Sequence, residues 1–509
     1  MTKRFYLILA TSVLALAVAG TAAGAGAQGG AAEPEPVTIT VMLSESSTVR
    51  INPDAPAHIA ITEKTGININ WEAVPGSDYG QKINTLIATN SVPDIALMNK
   101  YGYNDFGASG AFLELDKYID QYIPNFKAVV AENPWVNKYR IGGKLYTFPT
   151  VSRDDVTKAP LMFGRMDLLK KHNLAVPTTF EELYQTLVAL KKEYPNSIPY
   201  TCRGSGSLLN TMAYSMNTGR SLYFDIDVNG GSYVYAPATD EYRNLLVYLN
   251  RLYSEGLLDP DYAVTSNQQW VEKNSSGRGF FSYDNPIYIV RMNKGLQAAQ
   301  PDTEFGMIPV AKNADGSRRF MLYSVHPGRF WSVGANTEYP VEVAELFNWL
   351  YSDEGCDIRS MGIEGVHFDR VDGEFIFKQE LLDKYAAEGD AYTGMQSSIG
   401  IAFATFVPYY ENALLKATQI PELQGWWFND VANDPDRDYS VIDPPFEPEQ
   451  LERIKDIKAA LSTLEAEAFD KFVMGAWPLS DFDEVAQKMK DLGSTELEEI
   501  YNRANAPYK

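Results

Sequence analysis

The segment Ile141–Val151 reads IGGKLYTFPTV and separates two stretches of alternating strand and helix patterns. Gly142 and Gly143 favour a tight turn, and Lys144–Phe148 alternates polar and apolar residues like a short strand. Pro149 has no backbone N–H and ends the pairing of that strand. On its own the segment is typical of a boundary between a loop and a strand. Its position between the two stretches makes it a candidate crossing between two domains.

The residues before this segment follow a β-α-β-α-β order, which predicts a parallel sheet with helices on both sides. Val37–Leu43, the first strand pattern, is a near-continuous β-branched run of the kind that is buried on both faces. A second α/β half starts with Pro160–Phe163, and the tail Glu447–Lys509 is almost wholly helical in pattern. We therefore predict an α/β protein with two lobes, each a mainly parallel sheet flanked by helices, and a helical carboxyl-terminal tail.

The first residues have the pattern of an export signal. Lys3 and Arg4 precede the apolar run Phe5–Val18, and Ala25-Gly26-Ala27 fits an A-x-A cleavage site. We expect residues 1–27 to be a cleaved signal peptide and residues 28–36 a flexible tether. The mature protein is then periplasmic or secreted. Because no cysteine lies close behind the apolar run, no lipid anchor is expected.

The formal net charge of −22 disfavours nucleic acid, anionic membrane surfaces and polyanionic ligands as partners. The two cysteines, Cys202 and Cys356, are too few to staple a chain of 509 residues. They either pair in an oxidising compartment or stay free, and their spacing does not decide between the two.

Sequence signatures of catalysis are absent. None of the motifs G-x-S-x-G, H-E-x-x-H, G-x-x-x-x-G-K-[ST] and C-x-x-C occurs, and the four histidines lie far apart in the sequence. Acidic pairs such as Asp154-Asp155 are expected by chance among 66 acidic residues. Asp225–Gly230 begins like a calcium loop, but Ala236 stands where the closing glutamate belongs, so a hairpin turn is favoured. We predict no enzymatic activity, no cofactor and no bound metal.

Seven short motifs follow one another along the mature chain. They are Tyr79–Ile95 (YGQKINTLIATNSVPDI), Ala111–Asp116 (AFLELD), Gly143–Pro149 (GKLYTFP), Phe163–Leu169 (FGRMDLL), Pro177–Leu183 (PTTFEEL), Trp270–Phe281 (WVEKNSSGRGFF) and Phe347–Ser352 (FNWLYS). In this order they resemble the family 1 extracellular solute-binding proteins of ABC transporters. Met361–Phe377 and the helix break at Met474-Gly475 favour its long, oligosaccharide-binding branch, which includes alginate-binding periplasmic proteins and LipO-type lipoproteins. One departure is Glu193–Ser197, which has too few oxygen ligands for the calcium loop of the alginate binders.

The resemblance implies a two-lobed, type II-like periplasmic-binding-protein fold. The chain would cross between lobes at Ile141–Val151, return near Glu304 and cross again near Ser352–Gly362, with Tyr146–Thr150 at the junction beneath the ligand. The amino-terminal lobe would comprise residues 37–148 and 304–355, and the carboxyl-terminal lobe residues 149–303 and 356–509.

The resemblance also implies a function. Such a protein captures a carbohydrate, here an oligosaccharide, by hinge closure between the lobes and delivers it to the membrane permease subunits of an ABC transporter. We expect a monomer that binds no nucleic acid. The alternative is an exported polysaccharide-degrading enzyme with a carboxylate pair in an aromatic cleft.

Sugar rings are bound by flat aromatic side chains and by planar hydrogen-bonding groups, and the resemblance places several of these at the cleft. We expect Tyr103, Tyr283 and Trp331 to stack on ligand rings. Arg329 could pair with a uronate carboxylate or with two neutral hydroxyls. The other expected ligand contacts are Asn104, Asp284, Asn285, His367, Phe368 and Tyr409.

Overall fold

Strands and helices alternate along the chain as the sequence pattern predicts. The computed structural model describes residues 37–45, 50–154, 159–322, 329–388, 391–402, 410–419 and 421–508. The strands are β1 (Thr38–Glu45), β2 (Asn68–Pro75), β3 (Ile95–Asn99), β4 (Phe148–Pro149), β5 (Leu161–Arg165), β6 (Ile198–Tyr200), β7 (Leu222–Asp225), β8 (Ser232–Tyr235), β9 (Gly279–Asp284), β10 (Phe305–Ile308), β11 (Phe320–Met321), β12 (Arg329–Val333), β13 (Phe368–Val371), β14 (Glu374–Phe377) and β15 (Arg437–Asp438).

Helices follow most of the strands and make up the carboxyl-terminal region. Among the described helices, none combines the length and the apolar character needed to cross a membrane. The helices are α1 (Pro56–Thr65), α2 (Gly76–Ala88), α3 (Lys100–Phe106), α4 (Asp116–Tyr122), α5 (Pro124–Glu132), α6 (Met166–Lys171), α7 (Phe180–Glu193), α8 (Ser205–Ser215), α9 (Asp240–Ser254), α10 (Asn267–Ser275), α11 (Ile287–Ala299), α12 (Pro340–Leu350), α13 (Asp353–Met361), α14 (Gln379–Glu388), α15 (Ala391–Ile399), α16 (Glu411–Thr418), α17 (Pro421–Gly425), α18 (Pro448–Val473), α19 (Phe482–Asp491) and α20 (Ser494–Asn505).

The first sheet has the strand order β2-β1-β3-β12-β4. β1 pairs in parallel with both β2 and β3, which confirms the predicted parallel start of the sheet. β12 is antiparallel to its neighbours β3 and β4. Because the sheet is covered on both faces, Val41 and Met42 of β1 are both fully buried although their side chains point in opposite directions.

The second sheet, in the order β10-β5-β9-β6, corrects the prediction that each sheet is mainly parallel. β6 and β9 run in the same direction, whereas β5 is antiparallel to both β9 and β10. The reason is the point at which the chain enters this sheet. Leu161, at the start of β5, pairs with Asp284 at the end of β9. The chain therefore enters at the edge where the two parallel strands end.

The crossing between the sheets follows the segment Ile141–Val151. Phe148 and Pro149 form β4 at the edge of the first sheet, and the next strand in the chain, β5, belongs to the second. The return differs from the expected crossing near Glu304, because β10 pairs with β5 of the second sheet and β11 pairs with β15. The chain re-enters the first sheet with β12.

The third predicted crossing, near Ser352–Gly362, coincides with α13. The expected boundary at residue 355 falls inside this continuous helix, whose Ile358 packs against Ala57 and Ala60 of α1. α13 therefore lies as one element beside the helix that follows β1. The remaining lobe boundaries stay predictions.

Each sheet has its own hydrophobic core. The core of the first sheet includes Phe148 and Phe347, whose rings stack with centroids 3.9 Å apart. The core of the second sheet extends to α18, where Ile457 and Phe469 are buried. Two separately packed cores are what a pair of lobes requires.

Cys202 and Cys356 are both free and buried, so they form no disulfide with each other. Burial raises the pKa of both thiols, that of Cys356 to about 12. Buried thiols with a raised pKa react slowly with oxidants and alkylating agents.

Candidate ligand-binding site

The carboxyl ends of parallel strands in both sheets lie where the chain crosses between the sheets. In the first sheet, Asn99 at the end of β3 pairs with Arg329, the first residue of the returning strand. In the second sheet, Asp284 at the end of β9 pairs with Leu161, the first residue of the entering strand. Ligands of open α/β sheets bind outside such strand ends, at the point where the strand order reverses. The strand ends of each sheet are therefore candidate positions for a ligand.

A cavity of about 460 Å³, which we call the edge cavity, lies at the strand-order reversal of the first sheet, where α2 and α3 approach the ends of β1 and β3. The Tyr79 hydroxyl donates to the Leu97 carbonyl of β3 at 2.7 Å and lies 3.2 Å from the Met42 carbonyl of β1. The Asn99 side chain accepts a 2.7 Å hydrogen bond from the Gly102 N–H and caps α3 at the cavity wall. Other residues that line the edge cavity are Ser44, Asn84, Asp105, Phe106 and Arg329.

A second cavity, of about 590 Å³, separates α3 from α18, and we call it the helix cavity. α3 contributes to the core of the first sheet and α18 to the core of the second, so both cores supply its walls. Leu451 of α18 packs against both cores. The Lys455 ammonium lies 4.9 Å from the ring centroid of Phe106 in α3. Asn104, Asp105, Glu449, Glu452 and Asp456 also line the helix cavity.

Asp105 lines both the edge cavity and the helix cavity. Burial raises the pKa of its carboxyl, and the positive charges of Lys455 and Lys458 act in the opposite direction. The lysines of α18 therefore act electrostatically on a carboxylate of α3.

A third cavity, of about 370 Å³, has six aromatic side chains among its sixteen lining residues, and we call it the aromatic cavity. It lies between the β7–β8 hairpin, the residues after β15, and α18. Tyr439 is 54% exposed, and Ile226 and Val441 beside it are exposed as well. An exposed flat ring is what stacking on the apolar face of a sugar requires. The aromatic lining residues are Tyr214, Tyr223, Phe224, Tyr233, Tyr439 and Tyr501.

One side of α18 lines both the helix cavity and the aromatic cavity. Leu451 and Lys455 line the first, while Lys458, Ser462 and Glu465 line the second. Their spacing of three and four residues puts them on one side of the helix. From Leu451 to Glu465 the helix rises about 21 Å. The two cavities thus follow one another along α18, and we call them together the α18 groove.

A buried guanidinium connects the walls of the aromatic cavity. Arg319, next to β11, lies 3.3 Å from the Asp225 carboxylate at the end of β7 and 3.4 Å from that of Asp438 in β15. It also donates to the Tyr214 hydroxyl at 2.8 Å. Asp225 and Asp227 of the loop that begins like a calcium loop both face this arginine. The hairpin turn predicted there is confirmed by the antiparallel pairing of β7 and β8.

The three aromatic residues expected to stack on ligand rings are buried, which corrects that expectation. Tyr103 is 0% exposed and donates its hydroxyl to the Tyr139 carbonyl at 2.7 Å. The Tyr283 hydroxyl forms a 2.8 Å hydrogen bond with the Ser215 hydroxyl, and Trp331 lies in the core of the first sheet. β9 and β12 are covered on both faces, so an aromatic side chain on either strand points into a core and not into a cleft.

Two of the expected polar contacts, Asn104 and Arg329, do line described cavities, namely the helix cavity and the edge cavity. Asn285 is half-buried at the start of α11, where its side-chain oxygen accepts a 3.2 Å hydrogen bond from the Ile287 N–H. Ligand contact by these three residues stays a prediction.

Asp284 is buried, and the protein itself occupies both of its oxygens. Arg203 forks onto the carboxylate, with Nε–Oδ2 and Nη2–Oδ1 distances of 2.8 and 3.0 Å, and Ser207 donates to Oδ2 at 2.6 Å. The Arg203 guanidinium also lies 5.7 Å from the ring centroid of Tyr288. Asp284 therefore positions Arg203 at the end of the second sheet, and a direct ligand contact, as expected from the sequence, does not fit this arrangement.

His367 and Phe368 lie elsewhere, against the β13–β14 hairpin and the helices α13–α16. Phe368 is fully buried in a separate small core, and His367 accepts a 2.9 Å hydrogen bond from the Ile363 N–H at its Nδ1. Their burial contradicts the expected ligand contact. Tyr409 lies outside the described residues.

The sequence pattern does not indicate Tyr439, Lys455 or Glu465. α18 is amphipathic, and its polar side is not distinguishable from any solvated helix face. The local amino-acid composition around Tyr439 is the sequence feature that could have indicated this residue. It lies in the segment Asp434–Pro445, which is rich in aspartate and proline and connects two helical regions.

Comparison with known proteins decides the family. A family model described as bacterial extracellular solute-binding protein matches residues 52–355, which is more than half of the chain. The chain belongs to this family. The resemblance of the seven motifs is thereby confirmed, and the function class of this solute-binding protein is the capture of a solute outside the cytoplasm.

Two relatives from Bacillus subtilis (strain 168) align with most of this solute-binding protein. The polygalacturonan/rhamnogalacturonan-binding protein YtcQ is 23% identical over 456 residues, which cover 86% of this chain and 85% of YtcQ. Lipoprotein LipO is 23% identical over 474 residues, which cover 88% of each chain. The crystal structure of the alginate-binding protein AlgQ2 without calcium superposes with a TM-score of 0.78 at 22% identity, and covers 93% of this chain and 99% of AlgQ2. The fold is therefore the predicted two-lobed α/β fold of solute-binding proteins.

Proposed function

We propose that this protein captures an oligosaccharide between its two lobes and delivers it to an ABC importer. The observation that carries the proposal is the α18 groove, because elements of both cores line it and it presents the exposed ring of Tyr439. YtcQ and AlgQ2 support the carbohydrate assignment, since both are described as polysaccharide-binding proteins.

Capture proceeds by closure of the lobes. α3 moves with the first sheet and α18 with the second, so a ligand in the helix cavity touches Asn104 and Glu452 together only when the lobes are close. A ligand that makes these contacts only in the closed state shifts the equilibrium toward closure. Leu451 packs against both cores, so its contacts change when the lobes move relative to each other.

The proposal includes binding without turnover. The protein acts as a monomer in the periplasm or after secretion, without a lipid anchor, and its partners are the ligand and the membrane permease subunits. Nucleic acid is not among its partners, because the net charge of −22 repels a polyanion.

Calorimetric titration of the purified protein with a panel of oligosaccharides tests the proposal. We expect one ligand per chain, a negative heat-capacity change from burial of apolar surface, and intact ligand recovered at the end. Binding of peptides or metal ions in place of every oligosaccharide contradicts the carbohydrate assignment. Release of shorter sugars during the titration contradicts binding without turnover.

A further inference from the structure

We infer that the α18 groove selects uncharged sugars and discriminates against uronic acids. The inference rests on the proposed function and adds the charge class of the ligand. It starts from the side chains that line the groove. Six carboxylates face two ammonium groups there: Asp105, Asp443, Glu449, Glu452, Asp456 and Glu465 against Lys455 and Lys458.

The two ammonium groups are already engaged by the protein. Lys455 lies over the Phe106 ring, and Lys458 donates to the Tyr501 hydroxyl at 2.8 Å. Glu449 and Glu452 form no ion pair with any residue in the described part of the chain, and both are exposed at the groove. The groove therefore carries a negative potential that a ligand carboxylate would meet at short range.

The hydrogen-bonding character of the groove matches hydroxyl groups. A carboxylate accepts hydrogen bonds and donates none, so the groove offers many acceptors to ligand O–H groups. Glu465 already accepts such a bond from the Ser221 hydroxyl at 2.8 Å. The exposed ring of Tyr439 supplies the apolar contact beside these acceptors. A neutral oligosaccharide provides donors for the carboxylates and a C–H face for the ring, whereas a uronate adds a negative charge close to these carboxylates.

Three arginines at or next to strand ends, Arg203, Arg319 and Arg329, do not reverse this balance. Arg203 is neutralised by its fork onto Asp284. Arg319 is engaged by Asp225 and Asp438 behind the wall of the aromatic cavity. Arg329 lines the edge cavity, which is not part of the α18 groove.

A matched pair of ligands tests the inference by calorimetry: a neutral oligosaccharide that binds, and the same oligosaccharide with each C6 hydroxymethyl group oxidised to a carboxylate. We expect the dissociation constant of the oxidised ligand to be at least about tenfold higher than that of the neutral ligand in dilute salt. This ratio of the two dissociation constants should decrease at about 0.5 M NaCl because salt screens exposed charges. We expect the double variant Glu449→Gln/Glu452→Gln to lower the ratio of the two dissociation constants severalfold at low salt.

The control is the double variant Glu132→Gln/Glu499→Gln, which removes the same charge at exposed positions that line neither cavity of the groove. It should leave the ratio unchanged. Equal or tighter binding of the oxidised ligand overturns the inference and leaves the proposed function intact. An equal decrease of this ratio in both double variants also overturns the inference, because the selectivity then comes from the total charge of the protein and not from the groove. If no oligosaccharide of either kind binds, the proposed function fails and the inference fails with it.

Discussion

The hydroxyl of Tyr351 donates a 2.8 Å hydrogen bond to the carbonyl of Pro149. Pro149 ends β4, the last strand before the chain crosses to the second sheet, and Tyr351 is the first of the two residues between α12 and α13. Tyr351 is 1% exposed, so the bond is shielded from water. It ties the first crossing to the start of the third predicted crossing, although the two residues lie 202 positions apart in sequence.

Replacing Tyr351 by phenylalanine should lower the free energy of unfolding by about 1–2 kcal/mol, because a buried carbonyl loses its donor while the ring still fills its space. Urea unfolding followed by circular dichroism measures the change. Tyr122→Phe is the control, since the Tyr122 hydroxyl has no hydrogen bond to any residue in the described ranges and its ring is half-buried. An equal loss in both variants would show that the bond to Pro149 contributes nothing specific.

Acid should destabilise the protein through His58. Burial, aided by the positive charge of Arg359, lowers the pKa of His58 from 6.5 to about 3. The unfolded chain takes up a proton at this histidine below pH 6.5, while the folded protein does not. Stability from this residue is therefore complete above pH 6.5 and falls by about 1.4 kcal/mol per pH unit as the pH drops toward 3.

Unfolding free energies measured between pH 7 and pH 4 check this slope. His58→Gln, which keeps a donor for the Asn52 carbonyl that His58 Nδ1 approaches at 2.6 Å, should flatten the pH dependence. Tyr122→Phe, which removes no group that titrates in this pH range, serves as the control and should keep the wild-type slope. A slope that His58→Gln leaves unchanged would assign the acid sensitivity to other groups.

The Arg319 cluster should be far more important for stability than an exposed ion pair. The side chains of Arg319 and Asp225 are 10% and 9% exposed, so Arg319→Met leaves buried carboxylates without their counter-ion and should cost about 3–5 kcal/mol. Arg278→Met breaks a pair with Glu272 whose side chains are 50% and 60% exposed, and should cost less than about 1 kcal/mol. Thermal unfolding of both variants compares their melting temperatures with that of the wild type. A similar decrease of the melting temperature in the two variants would argue against a structural role for the cluster.

Tyr439 should contribute to ligand affinity with little effect on stability. Because its ring is 54% exposed, Tyr439→Ala removes few core contacts, but it should weaken oligosaccharide binding by roughly tenfold. Tyr439→Phe keeps the ring and should bind nearly as well as the wild type. Tyr508→Ala, at an equally exposed tyrosine near the carboxyl terminus, controls for loss of an exposed ring elsewhere. Unaltered affinity in Tyr439→Ala would remove the aromatic cavity from the binding site.

The parts of the fold that depend on local pattern were predictable. β1, β2 and β3 are joined by short helices, and their apolar runs and helix spacing are sufficient to predict a parallel order. The direction of β5 was not predictable in this way. It follows from where the chain enters the second sheet, and that entry is set by the pairing of Leu161 with Asp284, which are far apart in sequence.

The binding site was the least predictable part, for a related reason. Trp331 and Tyr439 are both aromatic residues beside polar ones, and local sequence does not distinguish them. Trp331 is buried because β12 lies inside a sheet that is covered on both faces, whereas Tyr439 directly follows β15, a strand of a separate two-stranded sheet, and is exposed. Exposure of a ring is decided by contacts between distant segments, and these are not visible in a single sequence.

The burial of Cys202 and Cys356 makes the folded protein suitable for site-specific labelling. Both native thiols are enclosed and held in the protonated form, so a cysteine introduced at the exposed position Ala108 would react far faster with a maleimide dye. Ala108 lines the helix cavity opposite α18. A fluorophore at this position would change its emission as the two helices approach each other, so the labelled protein would report the binding of its own ligand.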